Sequence, residues 1–172
     1  LPKVVEALRG LQIKQVTAGS CHSLFLTHSG EVYSCGFIHA AADGGGGFAG
    51  FAAESEFPPR ELANQRQRPR GGSSSGLRAQ LLPELVRGGL TGEFVHQVSA
   101  GRKFSLALTA SGDVFSWGVG PLLGHCASTN TYSDSDTDTD TGLGCVDLGS
   151  PLLIAALRGT RVVQLSAGYY HS

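Results

Sequence analysis

Residues 16–36 read VTAGSCHSLFLTHSGEVYSCG, residues 98–118 read VSAGRKFSLALTASGDVFSWG, and the two align without a gap. The shared positions include Ala18-Gly19 with Ala100-Gly101, Ser23-Leu24 with Ser105-Leu106, Leu26-Thr27 with Leu108-Thr109, Ser29-Gly30 with Ser111-Gly112, and Gly36 with Gly118. A third copy begins in LSAGYYHS at residues 165–172. Self-similarity of this kind limits the chain to a repeat architecture, because one such unit cannot bury its apolar face alone.

Within the copies the pattern alternates. His22, Leu24 and Leu26 share one face of an extended segment, as do Phe104, Leu106 and Leu108, and a period of two predicts a strand. Ser29-Gly30 and Ser111-Gly112 then read as hairpin turns, where glycine supplies a positive φ, and Val32-Tyr33 and Val114-Phe115 open the returning strands. Upstream, the prolines in PKVVEALRG, PELVRGGL and PLLIAALRG are expected to open a strand in each unit, since a first-position proline loses only its own N–H from the ladder. A further strand is expected at residues 13–17, with copies at 94–99 and 161–166. Each unit then holds four short strands, and neighbouring units must stack to cover them.

The units are expected at residues 1–36, 83–118 and 151–172, separated by insertions at 37–82 and 119–150. Both insertions follow the same point of the repeat, which places them on one face. The first is rich in Gly, Ser and Arg, and the second carries STNTYSDSDTDTDTG, so both are expected to be disordered. The third copy stops early at Ser172, and the expectation is a piece of a longer protein with exposed faces and edges, poorly stable or self-associating in isolation.

Charge narrows the field. With 13 Lys and Arg against 14 Asp and Glu, the chain lacks the basic excess of a nucleic-acid binder, so chromatin or nucleic acid is not an expected partner. No apolar run approaches the length of a membrane helix, and no membrane partner is expected. Cys21, Cys35, Cys126 and Cys145 form no C-x-x-C pair, which points to a reducing compartment, cytoplasmic or nuclear.

Gly45, Gly47 and Gly50 match G-x-G-x-x-G but lack the preceding strand and following helix that cradle a pyrophosphate, so no cofactor is assigned. Asp136, Asp138, Asp140 and Asp147 fall at positions 1, 3, 5 and 12 of a calcium loop, yet Thr141 stands where the turn needs glycine, so no metal is assigned. Ser133, Ser135 and Thr137 each precede an aspartate by three residues, an acidic context that suits phosphorylation of a solvated loop. Arg66, Arg68 and Arg70 lack interleaved aromatics and read as linker. His22 and His171 recur at one repeat position, which favours packing inside each blade. Cys21 and His22 are adjacent on a strand and point to opposite faces. His125 beside Cys126 gives a loop thiol with no assigned base, and no catalytic residue is expected.

The order proline, apolar strand, Ala-Gly, His-Ser-Leu-x-Leu-Thr, Ser-Gly, Val-Tyr-Ser-x-Gly resembles the regulator-of-chromosome-condensation repeat. Trp117-Gly118 fits the end of that unit, Leu123-Gly124-His125 resembles its following loop, and Gly142-Leu143-Gly144 with Asp147 and Pro151 resembles its exit. Cys35 departs from the tryptophan, and Phe104 departs from the histidine. The resemblance implies an all-β fold, a partial β-propeller of about two and a half four-stranded blades from a ring of seven. It implies a protein-binding surface. The founding member is a nuclear exchange factor for a small GTPase that also contacts chromatin, and relatives are joined to ubiquitin-ligase or kinase domains. The function expected is a non-catalytic protein interaction module, with guanine-nucleotide exchange and substrate docking for a larger ligase as alternatives.

Overall fold

The computed structural model describes residues 1–39, 77–119, 123–125 and 147–172. The described residues are all-β, with two four-stranded antiparallel sheets whose strands follow chain order. The first contains β1 (Ile13–Ala18), β2 (His22–Thr27), β3 (Val32–His39) and β4 (Leu77–Leu85). The second contains β5 (Val95–Ala100), β6 (Phe104–Thr109), β7 (Val114–Val119) and β8 (Asp147–Leu153). Among the described residues no helix is long and apolar enough to cross a membrane.

The hairpin turns form as their residues require. Gly30 and Gly112 adopt φ of 82° and 92°, a region closed to most side chains. Thr27 fixes the loop by accepting the Glu31 N–H at 3.0 Å, and Thr109 accepts the Asp113 N–H at 3.1 Å. Ser29 and Ser111 donate in turn to the Glu31 and Asp113 carboxylates. The same four side-chain types therefore build the same turn twice.

Leu24, Leu26 and Val32 of the first sheet, with Val86 just after β4, pack against Val98, Ala100, Ala107, Phe115 and Trp117 of the second. The second sheet turns the matching residues, Phe104, Leu106, Leu108, Val114 and Ile154, toward Val162, Leu165 and Ala167. Covered on both sides, β6 is buried at every position, whereas β2 keeps Ser23 and Phe25 half-exposed. Fully burying one such leucine contributes about 1.5–3 kcal/mol relative to leaving it in water.

A polar clasp accompanies this apolar contact. Gln15 donates to the Val98 carbonyl at 2.8 Å and accepts the Val98 N–H at 3.1 Å. Gln97 repeats the arrangement one unit on, donating to Leu165 O at 2.9 Å and accepting its N–H at 3.1 Å.

Several sequence expectations need correction. The first proline segment is no strand: residues 1–5 lack regular structure and a 3-10 turn follows at Glu6–Leu8. Pro83 and Pro151 lie late in β4 and β8, which close the preceding sheet, and 3-10 turns follow at Gly88–Leu90 and Ala155–Leu157. Both prolines fall where the ladder shifts register, opposite Cys35 and Trp117, so their missing N–H breaks no pairing. The sheets thus run out of phase with the sequence repeat. Residues 161–166 pair in no strand, because a single segment without hairpin partners has no ladder to join. Strands β3 and β4 reach His39 and back to Leu77, so part of the expected first insertion is ladder.

Candidate interaction face

In each of the three repeat copies the chain reverses at its Ala-Gly pair. Gly19 N–H donates to His22 O at 2.8 Å, Gly101 N–H to Phe104 O at 2.8 Å, and Gly168 N–H to His171 O at 2.6 Å. The ring three residues on folds over the glycine: a Cβ at Gly101 would lie 2.3 Å from the Phe104 ring, and one at Gly168 would lie 2.6 Å from the His171 ring. This close approach explains why Ala-Gly is repeated. It also pushes outward the two residues between glycine and ring, which are Ser20-Cys21, Arg102-Lys103 and Tyr169-Tyr170.

Those pairs vary, and two of them form a cluster. The Arg102 guanidinium lies 4.9 Å from the Tyr169 ring centroid and 5.1 Å from that of Tyr170, and it donates to the Tyr170 hydroxyl. The rings meet edge to face at 4.5 Å. Tyr169 and Tyr170 are 54% and 58% exposed, an unusual placement for adjacent large rings. The antiparallel register sets His22 opposite Gly36 and Phe104 opposite Gly118. The chain between β3 and β4, and between β7 and β8, therefore leaves and returns at this same end.

The histidines are structural. His22 Nε2 lies 2.8 Å from the Ser105 hydroxyl of the other sheet, and both residues are buried. It packs between sheets, which corrects the expectation of packing inside one blade. Burial lowers its pKa from 6.5 to about 4, so the ring is neutral near pH 7. Cys21 is exposed while His22 is buried, so the two share no site, as their strand positions require. His171 is exposed. Ser116 donates to Leu123 O at 2.6 Å and lies 2.8 Å from His125 Nε2, which ties the loop remnant to β7. Burial lowers the His125 pKa as well. Since Ser105 and Ser116 are fully buried, neither histidine–serine pair is open to a substrate.

Gly45, Gly47, Gly50, Arg66, Arg68, Arg70, Cys126, Ser133, Ser135, Asp136, Thr137, Asp138, Asp140 and Cys145 lie outside the described residues. Asp147 begins β8, paired with Val119. Among the described residues no three His, Cys, Asp or Glu side chains gather as a metal site would require. Sequence reasoning missed the clasping glutamines and the arginine–tyrosine cluster. Gln15, Gln97 and Gln164 at one repeat position were the available signal for the former.

Four-stranded antiparallel sheets stacked face to face, each closed by a strand from the next sequence unit, define a blade-built β-propeller module. The regulator of chromosome condensation (RCC1) repeat model matches residues 13–37 and 95–120. The chain thus carries two matches to that repeat. It is 29% identical over 201 residues to the human E3 ubiquitin-protein ligase HERC2, an alignment covering 99% of this chain and 4% of HERC2. It is 36% identical over 107 residues to the mouse RCC1-like G exchanging factor-like protein, covering 62% of this chain and 17% of that one. The chain thus spans a small part of these relatives. The crystal structure of Prp20p from Saccharomyces cerevisiae, described with its binding properties to Gsp1p and histones, superposes with a TM-score of 0.59 at 22% identity, covering 94% of this chain and 30% of Prp20p.

Proposed function

We propose that the chain is a non-catalytic propeller module for protein–protein interaction, with its contact surface at the end of the sheets that carries Arg102, Tyr169 and Tyr170. The cluster itself carries the reading. Tyrosine and arginine dominate the binding energy of protein interfaces, and here three such residues stand preassembled, with both rings exposed and Arg102 half-exposed. His22, Ser105 and Trp117 are spent on packing between sheets, which leaves the variable turn residues to set the partner. Insertions at equivalent points of a repeat map to a binding face, and β3 and β7 end, and β4 and β8 begin, at this end. Free Cys21 and Cys35 suit a cytoplasmic or nuclear setting.

A small GTPase is the first partner class to test, because Prp20p was described with its binding to Gsp1p. The decisive assay combines binding of the chain to a panel of small GTPases with release of labelled nucleotide. The module reading expects binding that weakens at least tenfold in the triple variant Arg102→Ala, Tyr169→Ala, Tyr170→Ala, without accelerated release. Accelerated release would replace it with the exchange-factor reading.

A second reading, a substrate-docking propeller of a larger ubiquitin ligase, is favoured by the alignment of 99% of this chain within HERC2. The complete reading frame tests it: a ligase domain downstream supports it, and its absence removes it.

A further inference from the structure

At the end of the sheets away from the Ala-Gly turns, the first hairpin turn and the segment leading into β5 enclose a cavity of about 340 Å³, at the small end of the range for ligand sites. The buried side chains of Val32, Val86 and Leu90 line it, and so do the exposed Glu31, Arg87 and Glu93. Phe94, 50% exposed, lies flat against the turn: a Cβ at Gly30 would stand 2.7 Å from its ring.

The second repeat copy is built differently from the third at this point. Val86 donates to Val32 O at 2.8 Å as Ile154 donates to Val114 O at 2.9 Å, yet the following 3-10 turn begins at Gly88 in one and at Ala155 in the other. The second copy therefore carries one residue more, Arg87, at the cavity. Gly92 and Gly159, with φ of 85° and 82°, bring the copies back into step. They then diverge in charge, with Glu93-Phe94 where the third copy has Thr160-Arg161. Arg161 lies against the second hairpin turn, its Cγ 3.5 Å from a would-be Cβ at Gly112, next to Asp113. That junction supplies its acidic turn with a cation of its own. The first junction sets an uncharged ring beside Glu31 and adds a second carboxylate. Among the described residues the Glu31 carboxylate accepts from Ser29 at 3.0 Å, Glu93 makes no hydrogen bond or ion pair, and Arg87 pairs with neither.

We infer that this cavity receives a lysine or arginine side chain from a basic segment of a partner protein. The cation sits between Glu31 and Glu93 at the edge of the Phe94 ring, and its methylene stem covers the buried valines and leucine. A long basic side chain is the occupant because it alone among the natural side chains joins an apolar stem to a positive head, which matches an apolar lining under an acidic rim. Two carboxylates against one guanidinium leave the site net acidic, so it turns away phosphates and acidic segments. Arg87 is left to donate to a main-chain carbonyl beside the inserted residue. This contact lies at the opposite end of the sheets from Arg102 and Tyr169, and it is independent of theirs.

A fluorescein-labelled Gly-Ser peptide with one central lysine, titrated with the 172-residue chain and followed by anisotropy, tests the assignment. Half-saturation is expected near about 100 µM, the scale of a single anchored side chain. The same peptide with norleucine keeps the stem without the charge and should bind about tenfold more weakly. Glu93→Gln removes a carboxylate with no other partner among the described residues, and should weaken binding about threefold at an unchanged melt. Phe94→Arg rebuilds the arrangement of the next junction, with the cation supplied from within, and should abolish binding up to about 1 mM. No binding by the parent chain at that concentration, equal binding of the norleucine peptide, or full affinity in either variant each overturns the inference.

Discussion

The Gln15 side-chain amide takes up both main-chain hydrogen-bonding groups of Val98, 83 residues away in the neighbouring sheet. A glutamine amide carries a donor and an acceptor side by side, so it imitates one rung of a β-ladder across a boundary where the strands themselves do not pair. Its removal leaves a partly buried N–H and carbonyl unpaired. Gln15→Ala and Gln97→Ala should each destabilise the fold by about 1–3 kcal/mol, read as a lower urea midpoint at unchanged slope. Gln164→Ala, at the exposed position, should stay within about 0.5 kcal/mol at concentrations where the chain is monomeric. Equal losses at all three positions would remove the clasp as the cause.

Stability should fall with acid through the buried histidine. Burial holds His22 at about 4 against 6.5, so between those values the unfolded chain binds the proton and the folded chain does not. Stability from this group is therefore intact above pH 6.5 and lost as pH drops toward 4, at up to about 1.4 kcal/mol per pH unit. The second sheet carries Phe104 at the same repeat position, so His22→Phe is a replacement the architecture already accommodates. The variant should flatten the pH dependence between 4 and 6.5, leaving the smaller share from His125, whose pKa burial also lowers. Denaturant midpoints measured across that range check it, and an unchanged profile would show that His22 is not the responsible group.

The repeated glycines should separate by what surrounds them. A Cβ at Gly118 would stand 2.4 Å from the Lys103 carbonyl, and its φ is 119°. Gly10 also has a positive φ, 88°, but nothing lies within 4 Å of its would-be Cβ. Gly10→Ala should therefore cost only backbone strain, about 1–2 kcal/mol. Gly118→Ala adds a backbone clash that no rotamer relieves, and it should fail to fold or lose more than about 3 kcal/mol. Thermal melts of the two variants give the comparison directly.

The parts of this fold legible in sequence are those set by local chemistry. Leu24 and Leu26 alternate with more exposed neighbours because a strand has period two, and Thr27, Ser29 and Gly30 specify a turn within a few residues. The phase of the sheets was not legible, since whether the segment before Pro83 pairs forward or backward depends on contacts with Tyr33 and Ser34, some fifty residues earlier. The face around Arg102 was equally hidden. Arg102 and Tyr169 are 67 residues apart, and only the stacking of units brings them together.

Trp117 and Cys35 stand at one repeat position in opposite circumstances, which yields the last prediction. Trp117 is the chain's single tryptophan and is fully buried between the sheets, with no hydrogen-bond partner for its indole N–H among the described residues. Cys35 is half-buried on a face that no sheet covers among the described residues, and burial raises its thiol pKa. Trp117→Ala should cost about 3–5 kcal/mol, because it empties the largest side chain of the inter-sheet core. Cys35→Ala should change stability by less than about 1 kcal/mol. The native emission of Trp117 should be strongly blue-shifted and move red in one step on unfolding, so the same residue reports the transition. A red-shifted native emission, or a Cys35→Ala loss as large as that of Trp117→Ala, would show that the two faces are not packed as described.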